Sequence, residues 1–213
     1  MKTTTLFILG CPLLFAACTA DNFNETASQN VQSVANNNAA ALVSKLANRV
    51  AQSNAQSQQK QTLQGLIAAI ETQAFADAAF VQLLTAGYTT PQAADIAAVL
   101  ADADGVLTNL DFSATAKSYI GSILNTTKAT DIDSLVQTIA TGNQLTTEEK
   151  ALLYDLADLQ KEYLLNDDGD DEKEEGNDEE WKKNRIIGYA QGYHQTKANA
   201  VLNAVIIQVL AQP

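Results

Sequence analysis

Apolar residues recur at helical spacing along most of this chain, and nowhere do they alternate with a sustained period of two between turn residues. Val31, Val34, Ala39, Leu42, Val43, Leu46 and Val50 form a narrow stripe within residues 31–61, with a candidate break at Asn36, Asn37 and Asn38. Leu63, Leu66, Ile67 and Ile70 make a second stripe leading to Phe75. Phe80, Val81, Leu83 and Leu84 extend it as a short apolar run ending at Gly87. Thr90 and Pro91 predict an N-cap with proline at the first helical position, and Ile96, Val99 and Leu100 predict the buried face of that helix. Residues 102–105, Asp-Ala-Asp-Gly, read as its stop.

Ser113 is placed to cap a helix carrying Tyr119, Ile120, Ile123 and Leu124. Asp131 opens another, with Ile132, Leu135, Val136 and Ile139 on its inner side and Gly142 at its end. Thr146 and Glu149 have capping-box spacing, ahead of a long helix lined by Leu152, Leu153, Leu156, Leu159, Tyr163 and Leu164. Residues 181–211 predict a single helix, about 45 Å long at ~1.5 Å per residue. Its face is Ile186, Tyr189, Tyr193, Leu202, Val205, Ile206, Val209 and Leu210. Gly188 and Gly192, four apart on it, predict close approach of another helix. Asn199, Asn203 and Gln208 interrupt the apolar run and argue against a membrane span. The segment starting at Val81 faintly echoes the one starting at Val136, which suggests at most a repeated helical hairpin. The fold class this predicts is all-α, an irregular multi-helix bundle with a long C-terminal helix.

The opening residues have a different pattern. Lys2 precedes an apolar stretch from Leu6 to Phe15, broken by Pro12 and followed by Ala16, Ala17 and Cys18. A stretch of that length suits a signal h-region and falls short of the ~20 residues of a spanning helix. Phe15-Ala16-Ala17-Cys18 resembles the bacterial lipobox, with Phe15 where leucine is more usual. The resemblance implies a signal peptide over residues 1–17, a diacylglyceryl thioether on Cys18 and an acylated new amino terminus. Thr19, in place of Asp, implies passage to the outer membrane of a Gram-negative-type envelope, facing the periplasm or the surface. Residues 18–30 then read as a polar tether and residues 31–213 as the helical domain.

Charge is concentrated in one place. The whole chain carries a formal net charge of −12, and residues 166–180 hold ten acidic residues against Lys173. So acidic a chain has no footprint for nucleic acid, and any membrane contact is expected through the lipid anchor. The acidic loop at 166–180 is where a cationic protein partner would be drawn. An EF-hand alignment on Gly169 or Gly105 puts Leu164 or Leu100 where the first ligand belongs, so both read as helix-ending turns.

No catalytic, cofactor or metal residues emerge. His194 is the only histidine, and both cysteines, Cys11 and Cys18, lie in the signal region. Trp181, Tyr189 and Tyr193 read as core aromatics, with Trp181 beside the acidic loop in position to flank a cleft. The expectation is a lipid-anchored binding or scaffolding domain. The rival readings are a secreted, unlipidated effector and an envelope enzyme using carboxylates or a weakly bound metal.

Overall fold

The computed structural model describes residues 39–54, 62–166 and 175–211. The expected signal peptide, Cys18, the expected tether, Val31, Val34 and the expected break at Asn36–Asn38 lie outside the described residues. Of the acidic segment, Asn166 ends one helix and Glu175 begins the next, and residues 167–174 also lie outside. Among the described residues the fold is all-α, with no strand.

The described residues form ten helices, in order: α1 Ala39–Asn54, α2 Leu63–Phe75, α3 Ala78–Val81, α4 Ala93–Ala101, α5 Ala103–Asn109, α6 Ala114–Leu124, α7 Ala129–Thr141, α8 Thr147–Asn166, α9 Glu175–Tyr193 and α10 Lys197–Ala211. The stripes read from the sequence become the core. Val43, Leu46 and Val50 of α1, Ile67 and Ile70 of α2, Ile120 and Ile123 of α6, and Leu152, Leu153, Leu156 and Leu159 of α8 are buried. At its centre lies α10, in which every residue from Ala198 to Ile207 is buried. A helix enclosed on all sides needs neighbours on every face. Here α9, α1, α2 and α4 supply them.

Several predicted ends are observed. Ser113 Oγ accepts from the Ala116 N–H at 3.1 Å at the head of α6. Thr146 and Glu149 form the reciprocal capping box: Glu149 N–H donates to Thr146 Oγ1 at 3.1 Å, and Thr146 N–H to Glu149 Oε2 at 2.9 Å. Asp131 sits in the first turn of α7, which Gly142 closes.

Other expectations are overturned. The 181–211 helix is two helices folded into an antiparallel hairpin. The break is capped by Thr196, whose Oγ1 accepts from the Asn199 N–H at 3.1 Å and bonds Asn199 Oδ1 at 2.6 Å. The loop before α4 fixes the break from outside: Asn199 Nδ2 donates to the Thr89 carbonyl at 2.6 Å. Folding back lets each half bury a side that one straight rod would have left in water. The helix that Gly188 and Gly192 admit is therefore the second half of the same predicted element.

Neither Thr90 nor Pro91 starts a helix. Thr90 Oγ1 donates to Glu71 Oε1 at 2.8 Å instead, and α4 begins at Ala93 with Gln92 as its N-cap. Leu100, expected inside, is 38% exposed, while Ile96 and Val99 are fully buried. Asp102 ends α4 as expected, but it also caps α5, a helix the sequence pattern did not predict: its Oδ1 accepts from the Gly105 N–H at 2.9 Å. A Cβ on Gly105 would lie 2.2 Å from Asp102 Oδ2, so a side chain there would make the Asp102 carboxylate shift. The echo between Val81 and Val136 has no structural counterpart, since Val81 ends the single turn of α3 and Val136 lies within α7.

Candidate functional site

A solvent-open cleft of about 870 Å³ falls within the size range of ligand sites. Four parts of the chain wall it. The α4–α5 junction contributes Leu100, Asp102, Asp104 and Leu107. The end of α6 and the turn after it contribute Gly121, Leu124, Asn125, Thr126 and Thr127. Gln160, Tyr163 and Leu164 come from α8, and Glu180, Lys182, Lys183 and Asn184 from α9. The sequence placed Trp181 at the edge of a cleft. Its neighbours on both sides do line one, and its ring meets the Tyr163 ring edge-on at 5.6 Å.

The cleft's charges are arranged by short helices and local caps. Asp102 is fixed by its duty to Gly105, so one of its oxygens is already engaged. Lys183 is ion-paired with Asp104 across the gap between α9 and α5. The Lys182 ammonium sits 3.8 Å from the Tyr163 ring centroid, within cation–π range. Gln160 Nε2 donates to the Thr126 carbonyl at 3.0 Å, closing the floor. Asn184 is only 6% exposed and borders the cleft.

The buried ionisable groups lie elsewhere. Asp155 of α8 accepts from the Tyr189 hydroxyl at 2.9 Å and from the Lys197 ammonium at 3.0 Å, tying α8 to both arms of the C-terminal hairpin. Burial raises its carboxyl pKa above the ordinary value, outweighing the pull of Lys197. Asp158 is raised too, by burial and by the charge of Asp155. Burial and the same carboxylate push the Tyr193 hydroxyl to about 12 and Tyr189 well above its usual range.

Arg185 is the other buried tie. Its Nη2 donates to the Leu159 carbonyl at 2.8 Å and its Nη1 to Gln208 Oε1 at 3.2 Å, joining α8, α9 and α10. Burial lowers its pKa to about 10. Asp77 accepts from Ala79 N–H at 3.0 Å and pairs with Lys45 at 2.7 Å and Arg49 at 3.3 Å. The hydrogen bond from Lys45 leads in holding its pKa below the ordinary value, against the effect of burial.

These groups clamp helices together. Asp155, Asp77 and Glu149 each have their oxygens engaged, and none lines the cleft, whose carboxylates are exposed. An acid–base pair needs one carboxyl in a dry wall facing its substrate. The cleft offers no such carboxyl among the described residues. His194 is exposed, with its ring edge-on to Phe112 at 6.1 Å and distant in sequence from any acid cluster. No group of three or more His, Cys, Asp or Glu residues could hold a metal ion among the described residues. None of the described helices is long and apolar enough to cross a membrane.

Tyr189 was read as core, and it is fully buried. Sequence reasoning missed Asp155, Lys197 and Asn184. Asp155 lies among leucines in residues 152–159, and that apolar context was the available signal. No protein-family model, curated protein or solved structure matches this chain.

Proposed function

We propose that this chain is an exported protein anchored through lipid on Cys18, whose helical domain binds or scaffolds a partner at the outer membrane of a bacterial envelope. The observation that carries the reading is the sequence Phe15-Ala16-Ala17-Cys18 behind a short apolar stretch. Two or more acyl chains give stable anchoring where a single chain does not. The polar residues 18–30 would then give the domain reach from the surface.

The domain's features support binding over catalysis. Its buried acids are spent on joining helices, while its open cleft begins where the acidic segment meets α9. Ten carboxylates within residues 166–180 would steer a cationic partner toward that end, with an effect that salt screens over roughly 8–10 Å.

Growth of expressing cells with radiolabelled palmitate tests the anchor. Label on the wild-type protein and none on Cys18→Ala is the expected result. An unlabelled wild-type protein recovered from the medium would instead favour a secreted, unlipidated effector.

A further inference from the structure

We infer that a second concavity, the notch that α4, α5 and Gln191 of α9 enclose, receives an uncharged carboxamide side chain, Gln or Asn, of a partner protein. The inference rests on reading the domain as a binding module and names the chemistry of its partner; it does not involve the lipid.

The notch has a volume of about 470 Å³, within the size range of ligand sites, and shares Ala101 and Asp102 with the cleft. It lies where α9 packs against both short helices. Ala98 and Ala101 of α4 and Gly105 of α5 keep its walls low, and Val106 and Leu110 make one side apolar. A flat amide group suits so shallow a space. Among the described residues no cationic or aromatic side chain lines the notch, so nothing there pairs with an anion or stacks on a sugar ring. Asp102 is the carboxylate in the wall, and its Oδ1 already holds the Gly105 N–H.

Gln191 supplies the polar group that asks for a partner. Its Oε1 is buried and accepts no hydrogen bond among the described residues. Glu162 Oε2 and Arg185 Nε are left in the same condition, but their residues line neither the notch nor the cleft. A buried acceptor without a donor is costly, so its fold gives up nothing when this oxygen turns away. The last torsion of a glutamine is broad and two-fold, so the amide can turn its oxygen into the notch at small cost. A partner carboxamide would then donate to Gln191 Oε1 and accept from Gln191 Nε2, the reciprocal pairing that two primary amides offer each other.

Two variants separate the site from the fold. Gln191→Met keeps the side chain's length and removes the orphaned acceptor, which should leave the melting temperature unchanged or raise it. Ala98 is exposed on α4, so Ala98→Leu puts bulk into the notch without entering the core.

The test is a titration of the full mature chain, labelled with nitrogen-15, with the capped peptide Ser-Gln-Ser-Gln-Ser, following the side-chain amide resonances of Gln191. The expected result is a saturable shift in the wild type and an affinity lower by about tenfold or more in each variant. Capped Ser-Met-Ser-Met-Ser, equal in side-chain length, should give no saturable shift. Raising salt from about 0.05 to about 0.5 M should change the affinity less than about twofold, because no charge is recognised. Equal affinity in Ala98→Leu and wild type would overturn the placement in the notch. Saturable binding of the methionine peptide, steep weakening by salt, or no response to the glutamine peptide would overturn the chemistry. A lower melting temperature in Gln191→Met would show that the amide already serves the fold, and would overturn the proposal too. No readout here depends on Cys18, so failure of the anchor and failure of this site are distinguishable.

Discussion

Gly192 lies directly against the backbone of Asn199: a Cβ on Gly192 would stand 2.5 Å from the Asn199 carbonyl oxygen and 2.6 Å from the Ala200 nitrogen. Gly188, one turn earlier on α9, is close only to the Cδ1 tip of Ile207, at 2.3 Å. Backbone cannot move aside without opening the hairpin, whereas the end of an isoleucine can change rotamer.

The two glycines should therefore differ. Gly192→Ala is expected to destabilise by roughly 1–3 kcal/mol, the usual cost of overpacking. Gly188→Ala should cost less, because the helix-propensity gain of about 1 kcal/mol offsets a movable clash. Urea unfolding of both variants measures the difference. Equal losses would mean that the hairpin is not packed at Gly192 as described.

Glu149 joins the heads of two helices. One oxygen completes the capping box with Thr146, and the other accepts from the Ser113 N–H at 2.9 Å. Burial alone would raise its carboxyl, but the backbone bonds from Thr146 and Ser113 win, and its pKa lies below the ordinary 4.5. A depressed acid contributes stability that is present above pH 4.5 and lost as pH falls through the lower folded value. Glu149→Gln should cost about 1.5–3 kcal/mol at pH 7, the range for hydrogen bonds to a charged group. Its deficit should shrink as the pH is lowered below 4.5. Thermal unfolding at pH 7 and pH 3 checks both the size and the trend.

Asp155 has the opposite sign. Its folded pKa is raised above the ordinary 3.8, so the folded state favours the protonated form. The stability linked to that proton is present below pH 3.8 and is lost as pH rises through the folded value. Any penalty of Asp155→Asn relative to wild type should therefore diminish as pH climbs from 3 through the raised value. Tyr189→Phe, which removes the donor to a buried carboxylate oxygen, should cost about 1–3 kcal/mol. Calorimetric melts across this pH range decide both; a penalty for Asp155→Asn that grew with pH would contradict the arrangement.

Much of the fold was legible in the sequence because helix faces and caps are local signals. The stripe Leu152, Leu153, Leu156 and Leu159 and the Thr146–Glu149 pairing needed nothing from the rest of the chain. The C-terminal hairpin was not read, although His194, Gln195 and Thr196 interrupt the apolar run and Thr196 stands three residues before Asn199. Continuity of helix formers masked that cap, and the bond that secures it reaches Thr89, 110 residues away. Thr90 failed as a cap for a similar reason, because Glu71 on α2 takes its hydroxyl. The cleft was scarcely legible at all. Its walls come from four separate stretches, and Leu100 and Asn184 gain their meaning only from what stands beside them.

The anchor is open to the most direct test. Protein extracted from envelopes with detergent can be digested and its amino-terminal peptide weighed. The account predicts a peptide beginning at Cys18 and carrying a diacylglyceryl group with an additional amide-linked acyl chain. A peptide beginning elsewhere, or an unmodified Cys18 thiol, would contradict it.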